Sequence, residues 1–425
     1  MKLIVLAITI LMYAAVVVFP GKKAWSTLAA AVLILILRVV TPLYAAGTLV
    51  NWNVLMIYIG SLVLAELFIY SRVPARIADN IVLYSPNSGI AIVILLIITG
   101  LISAFVENVA TVLVMAPIAL ALSAKLKMAP TRFMIGLAVM ANLQGTATLV
   151  GDPPSMIFAS YANYDFNDFF FYNGRLSIFF IVQLGMLAGA LYFYAYFSRS
   201  NKIKIDVGRE PIVSLVPSVL LVLMILGLAV SSFFHSGVSL VSGLLVLFLG
   251  VAGLLWYAFI RREGAAAMFK LVKGLDWETI LFLIGIFVII GAVSEIGLLD
   301  DLVRMLNRII GGNVFLGFVV IILASVVISG FVDNVPYIIA MLPVSAALAA
   351  SLGLKHELYM FALLIGSCLG GNLTPFGASA NIVMVGLLKK EGITLNFSGW
   401  LKVGLPFTLV TTFAASLLLW FVWSW

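Results

Sequence analysis

Apolar residues run through this chain almost without interruption, and the polar breaks between the runs fall at intervals that repeat. Taken as stretches long enough to cross a bilayer, the runs predict helices near residues 2–19, 24–42, 52–71, 131–162, 176–198, 212–234, 238–260, 277–298, 356–388 and 400–423. Two further apolar stretches, about 86–124 and 313–351, are interrupted by Phe105-Val106-Glu107-Asn108 and Phe331-Val332-Asp333-Asn334. Each of these is either two more crossings or one re-entrant hairpin with the acid-Asn pair at its tip. The segment from Val73 to Leu83, with Arg76 and Asp79 on one side, reads as an interfacial amphipathic helix.

The breaks say nearly the same thing twice. Gly145-Thr146-Ala147-Thr148-Leu149-Val150-Gly151-Asp152-Pro153-Pro154 and Gly371-Asn372-Leu373-Thr374-Pro375-Phe376-Gly377-Ala378-Ser379-Ala380 share the pattern GxxTxxG. The differences 371 − 145, 374 − 148, 377 − 151, 333 − 107 and 343 − 117 are all 226. Asn51-Trp52-Asn53 and Asp276-Trp277-Glu278 match at 277 − 52 = 225, one residue away. The chain is therefore an internal duplication: residues 1–198, a polar linker at 199–211, and residues 212–425.

A 425-residue chain that is 64% hydrophobic and 10% charged, with a mean hydropathy of +1.22, is no water-soluble domain, where about 25% of residues are charged. No small-residue cleavage site precedes Phe19-Pro20-Gly21-Lys22-Lys23, so the first apolar run reads as a membrane helix and not as a leader. Most lysines and arginines, Lys22, Lys23, Arg72, Arg76, Lys125, Lys127 and Arg132 among them, fall on the inner side if both hairpins are re-entrant and both termini lie outside. Lys2, Arg38, Arg175, Arg304, Arg308 and Lys355 then lie outside. The net charge of +7 reflects these loops and points to no nucleic acid. Five crossings per half is an odd number, so the second half is inverted and one hairpin enters from each face. The expected fold is an all-α polytopic membrane protein built as an inverted repeat of two five-helix units.

A single cysteine, Cys368, excludes an intrachain disulfide and a cysteine-rich metal site. No nucleophile-base-orienter set speaks for an enzyme, and no cofactor or metal is expected. Without a G-x-x-x-x-G-K-[ST] motif, transport draws on an ion gradient unless a separate ATPase subunit contributes.

Polar backbone at membrane depth is tolerated only where it is buried in protein or faces water. Gly145, Gly151 and Pro153-Pro154 stop a helix, as do Gly370-Gly371, Pro375 and Gly377, so 131–162 and 356–388 should be discontinuous. Helix starts after the breaks suit an oxyanion, while freed carbonyls and the Thr148 and Thr374 hydroxyls suit a cation. The bland alternative is close helix packing by small residues. Glu107 and Asp333 are costly at depth and serve proton or cation coupling, a helix cap, or both. Asn108 and Asn334 hold the tips or touch solute. Asp152 has Ala378 as its counterpart, which points to coupling, the alternative being a cap beside Pro153. Glu66 is a candidate proton carrier, Glu295 lies near the outer end, and His235 and His356 fall in loops. Cys368, three residues before the second break, either faces a thiophilic solute such as trivalent arsenic or antimony or is buried as a small hydrophobe.

Trp277-Glu278 leading into an apolar helix, the acid-Asn tips before Ala116-Pro117 and Leu342-Pro343, the GDPP at Gly151–Pro154 and Gly377-Ala378-Ser379-Ala380-Asn381 together resemble the ion transporter superfamily. Within it they are similar to the arsenite permease, NhaD and P protein branch. The resemblance implies a scaffold domain and a transport domain, the latter holding both hairpins and both broken helices with solute between the tips. It also implies elevator-like alternating access, and a homodimer as in several relatives. Carried over by position, solute contacts fall on Asn108, Thr111, Gly145, Thr148, Asn334, Thr374, Gly377, Ser379 and Asn381, with Gly151 and Cys368 beside them. Coupling falls on Glu107, Asp152 and Asp333. The superfamily's carboxylate transporters carry Ser-Asn-Thr at both tips, whereas this chain has Glu107-Asn108-Val109 and Asp333-Asn334-Val335. Two acidic tips repel a di- or tricarboxylate, so the expectation is proton-coupled export of arsenite or antimonite across a plasma membrane. The alternatives are a Na⁺/H⁺ antiporter and an ion-coupled organic or inorganic anion transporter.

Overall fold

A computed structural model describes residues 1–198, 210–234 and 240–425; residues 199–209 of the linker and His235 lie outside the described residues. The first half comprises α1 (Lys2–Val18), α2 (Lys23–Ile36), α3 (Pro42–Tyr44), α4 (Trp52–Tyr70), α5 (Val73–Tyr84), α6 (Ser88–Ser103), α7 (Asn108–Lys125), α8 (Thr131–Gly145), α9 (Pro153–Ala162) and α10 (Ile178–Phe197). The second comprises α11 (Val216–Ser231), α12 (Leu240–Leu255), α13 (Ala265–Gly274), α14 (Trp277–Glu295), α15 (Leu298–Ile310), α16 (Val314–Ser329), α17 (Asn334–Ser351), α18 (Glu357–Gly370), α19 (Ser379–Lys390) and α20 (Phe397–Trp423). A short hairpin pairs β1 (Phe171–Tyr172) with β2 (Arg175–Leu176) ahead of α10. Neither this hairpin nor α13 was expected from the apolar runs, since both are short and α13 is amphipathic.

Among the described residues, α4, α7, α10, α12 with its continuation to Ile260, α14, α17 and α20 are long and apolar enough to cross a membrane. Other expected crossings are shorter. The stretch 24–42 stays helical only to Ile36, because Arg38 takes up left-handed backbone (φ 53°) and Pro42 starts a new turn. With 14 residues, α2 measures about 21 Å at 1.5 Å per residue, against about 30 Å of hydrocarbon. The two long stretches are discontinuous as expected: α8 and α9 flank residues 146–152, and α18 and α19 flank 371–378.

Contacts along the helices fix their directions. Leu96 packs on Gly136 and Gly100 on Gln144, so α6 and α8 run in parallel; Ser325 on Gly366 and Val326 on Gly370 do the same for α16 and α18. Both members of each pair start from one face and stop at the level of the break, and α7 and α17 return between them. Each interrupted stretch is thus a helical hairpin with its acid-Asn pair at the turn. Trp423 Nε1 donates to Leu176 O at 3.0 Å, and Phe407 packs against Gly189, which makes α10 and α20 antiparallel. The end of α9 meets the start of α18, where Phe158 and Phe361 have ring centroids 5.6 Å apart.

Glycine decides how close the remaining helices come. A Cβ on Gly60 of α4 would lie 2.6 Å from the Val246 carbonyl of α12, and one on Gly285 of α14 would lie 2.8 Å from Thr27 of α2. At the periphery Lys2 bonds Asp301 of α15 at 3.3 Å, and with Arg304 it holds that carboxyl below its ordinary range.

The tips are tied to the breaks by the repeated motif itself. Thr148 Oγ1 donates to Ala104 O, and Thr374 Oγ1 donates to Gly330 O at 2.6 Å, with 330 − 104 = 226. A Cβ on Gly151 would meet Gly145 O at 2.5 Å and Ala104 O at 3.0 Å; on Gly377 it would meet Gly371 O at 2.6 Å and Gly330 O at 3.0 Å.

Two consequences are measurable by thermal melting of the purified protein in detergent. Gly60→Leu should destabilise by about 1–3 kcal/mol through overpacking against α12. Thr374→Val, which leaves the buried Gly330 carbonyl without this donor, should cost about 1–3 kcal/mol, and Thr374→Ser should recover most of it. Unchanged melting in Thr374→Val would mean the tip is held by something else.

Candidate functional site

Capping places the first two carboxylates. Glu107 Oε2 accepts from Ala110 N at 2.9 Å and starts α7; Asp333 Oδ1 accepts from Val335 N at 3.1 Å and starts α17. Both N-caps therefore stand at hairpin tips, as the acid-Asn pairs suggested. Asp152 is the N-cap residue of α9 but makes no side-chain capping bond. Its neighbour is the Asn108 amide, whose Oδ1 accepts from Ser103 Oγ at 2.6 Å.

These groups converge on a chamber of about 30 Å³, lined by Lys23, Tyr58, Glu107, Asn108, Asn142, Asp152, Asp276, Thr279, Asp333, Asn334 and Ser379 among others. Four carboxylates face one ammonium there. The chamber opens into a vestibule of about 410 Å³ that shares Lys23, Glu107, Asp276, Thr279 and Ser379. The vestibule continues past Leu113, Glu66 and Ile382, farther along α7, α4 and α19 and away from the breaks. Gly21 and Gly274 line it as well.

Several residues here escaped the sequence reading. Lys23, which the charge distribution places with the cytoplasmic loops, has a side chain only 12% exposed, and its Nζ lies 3.3 Å from Asp333 Oδ2. The missed signal was the brevity of α2. Asp276 was noticed only as part of a repeated motif; it caps α14 through Thr279 N at 3.0 Å and accepts from Tyr58 Oη at 3.4 Å. Asn142 stitches the halves together, donating to Asn372 Oδ1 at 2.9 Å and to Asn381 Oδ1 at 2.8 Å. Its own Oδ1 is buried with no protein partner. An amide in the otherwise apolar body of α8, with Gln144 two residues on, is the signal that could have found it.

Of the expected solute contacts, Asn108, Asn334 and Ser379 line the chamber together with Glu107, Asp152 and Asp333. Gly145 gives the Asn108 amide its room, since a Cβ would collide with it. Thr148, Gly151, Thr374 and Gly377 serve the tip-to-break ties instead. Thr111 Oγ1 turns back to Val106 O at 3.3 Å. Asn381 Nδ2 satisfies Gly371 O at 2.8 Å and Thr374 O at 2.9 Å. Cys368 is fully buried at the position equivalent to Asn142 (368 − 142 = 226), and it lines neither cavity. Glu66 lines the vestibule, Glu295 accepts from Tyr44 Oη at 2.8 Å near an exposed end, and His356 is exposed. Among the described residues no group of three or more His, Cys, Asp and Glu side chains is arranged to hold a metal.

A second cavity, about 310 Å³, lies towards the opposite face and is lined by Asn51, Ile157, Phe287, Gly291 and Ile339 among others. These positions correspond to Asp276, Val383, Leu62, Glu66 and Leu113 of the vestibule: 276 − 51, 287 − 62 and 291 − 66 give 225, and 383 − 157 and 339 − 113 give 226. The duplication thus supplies a vestibule on each face, acidic on one and neutral on the other.

Known proteins share the fold. The fold resembles the YdaH transporter of Alcanivorax borkumensis, with a TM-score of 0.58 at 15% identity over 94% of this chain and 96% of that one. MtrF of Neisseria gonorrhoeae gives 0.56 at 14% identity, over 92% and 84%. In sequence, an uncharacterized transporter of Mycobacterium bovis is 30% identical over 98% of both chains. One of Synechocystis is 27% identical over 86% of this chain and 85% of that protein. The human P protein is 23% identical over 75% of this chain and 47% of its own length, in keeping with the resemblance carried by the motifs. The citrate transporter family model matches residues 13–366 and, again, 244–425, and this multi-pass membrane transporter belongs to that family.

Proposed function

We propose that this is a secondary transporter of a plasma membrane, driven by a cation gradient, in which Glu107, Asp152 and Asp333 take up the coupling H⁺ or Na⁺. The observation that carries the reading is the meeting of Glu107, Asp152, Asp276 and Asp333, drawn from both halves, in one chamber with Lys23. Carboxylates gathered where water is scarce repel one another, and a bound cation or proton relieves that repulsion. Solute is held between the tips by Asn108, Asn334 and Ser379, so its occupancy and that of the cation depend on each other. The hairpins and broken helices move as the transport domain against the remaining helices, with the acidic vestibule on the cytoplasmic side and both termini outside. The gradient suffices to drive this cycle without an ATPase subunit.

A neutral, hydroxyl-rich solute fits such a chamber: arsenite and antimonite donate to carboxylates and accept from the Asn108 and Asn334 amides at no Coulombic cost. Their export in exchange for protons is the leading reading. Recognition runs through oxygen chemistry, because the Cys368 thiol lies outside both cavities. Na⁺/H⁺ exchange is the second reading, favoured by the small volume and the carboxylate lining. Citrate, the solute in the family's name, would enter only with its charge neutralised by accompanying cations or protons.

Purified protein in liposomes separates these readings. Arsenite uptake driven by a proton gradient supports the first, and Na⁺-dependent dequenching of an internal pH dye with no arsenite uptake supports the second. Asn ranks with Asp as an N-cap, so Asp333→Asn keeps the cap and removes the charge. Asp333→Asn and Glu107→Gln should therefore abolish coupled transport while the protein still elutes as a single folded species. Wild-type rates in both variants would leave capping as their only role.

A further inference from the structure

Lys23 bridges two parts of the molecule that also meet where α14 touches α17 and where Tyr13 Oη donates to Pro336 O at 3.1 Å. It is the first residue of α2, which is pinned to α14 by the close contact of Thr27 with Gly285. Its partner Asp333 stands at the α16–α17 tip, which is tied to the second break through Thr374 and Gly330. The two oxygens of Asp333 have separate tasks, Oδ1 capping α17 at 3.1 Å and Oδ2 accepting the ammonium at 3.3 Å. The Phe282 ring of α14, whose centroid is 5.3 Å from Nζ, supports the charge from the α14 side. In the same cavity Glu278, on the first turn of α14, has a buried Oε1 with no hydrogen-bond partner. Glu278 and Asp276 both act electrostatically on Lys23.

The other tip has no such partner by equivalence. Thr27 against Gly285 corresponds to Val246 against Gly60, an offset of 246 − 27 = 219, which sets Ser242 in the place of Lys23.

Resting on the transporter reading above, we infer that Lys23 is a tethered cation that locks the empty transporter. Its ammonium holds the α16–α17 tip to the α2–α14 pair until a cargo cation, a proton or a donating solute hydroxyl takes Asp333 Oδ2, whereupon the lysine turns to the unpartnered oxygen of Glu278. The total charge of the chamber changes little in that exchange, and the tip is released only when loaded. A carrier that moves loaded and stays locked when empty exchanges its substrates and does not leak. Lys23 is in this sense a positioning residue: it contacts the coupling carboxylate and competes with cargo for it.

The test uses liposomes holding purified protein, with the potential clamped by valinomycin and K⁺. An internal pH dye reads H⁺ movement and ²²Na⁺ release reads Na⁺ movement, each with and without arsenite. Wild-type protein should show exchange with little cargo-independent flux. Lys23→Met should raise the cargo-independent flux by about tenfold or more, the factor set by losing a partly buried ion pair. Lys23→Arg should stay close to wild type, and the charge swap of Lys23→Asp with Asp333→Lys should restore the low leak without restoring exchange. Glu278→Gln, which leaves Lys23 in place, should raise the apparent KM for whichever probe is exchanged, because the displaced ammonium has lost its acceptor. Wild-type leak in Lys23→Met, or a wild-type KM in Glu278→Gln, overturns the lock while leaving the transporter reading intact. No coupled movement of H⁺ or Na⁺ by the wild-type protein overturns both.

Discussion

A helix that stops inside a bilayer leaves amides and carbonyls without partners, and no solvent is present to take them. Among the described residues two breaks and two hairpin tips pose this problem, and each tip is brought to a break. Thr148 and Thr374 reach across to the tip carbonyls of Ala104 and Gly330. Within the breaks, Ser155 Oγ donates to Gly145 O and Thr146 O at 3.3 Å, and the equivalent Asn381 bonds Gly371 O and Thr374 O. Once the backbone is satisfied in this way, the side chains of Glu107, Asn108, Asp152, Asp333 and Asn334 remain to face the chamber. The polar site is thus a by-product of solving a backbone problem twice.

The same logic explains which parts of the fold could be read in advance. Glycine, proline and an offset of 226 are local signals, so the duplication, both breaks and both acidic tips were visible in the chain. What the motif residues do was less visible. Thr148, Thr374, Gly151 and Gly377 invite assignment as ligands, yet the threonines donate to carbonyls 44 residues earlier in the chain and the glycines leave room for those same carbonyls, which only the three-dimensional pairing reveals. Asn142 and Cys368 occupy equivalent positions, and the rarer residue attracted attention while the amide supplies the bonds between halves.

Lys23 shows a different failure. The tendency of basic residues to collect in cytoplasmic loops is a rule about averages, and it takes a lysine beside a turn as part of that turn. It cannot see that α2 has only 14 residues, so that its first side chain starts within reach of a hairpin tip. Helix length was the quantity needed, and it was obscured by the apolar run continuing through Leu37 to Val40 after the helix had ended at Arg38's left-handed turn.

Duplication by itself would make the two faces chemically equal, and side-chain divergence has removed that equality. Glu66 and Asp276 line one vestibule where Gly291 and Asn51 line the other. Low-dielectric walls focus the field of such carboxylates and raise the local cation concentration on that face alone. This asymmetry does not choose the direction of net transport, which only the gradients can do. In the proposed cycle it sets how tightly the cation is held in each of two states, and any extra affinity on the acidic side must be returned when the site opens to the neutral one. A resident lysine on Asp333 meets that requirement, because it lowers the affinity of the acidic side by competition and leaves the neutral side free to release.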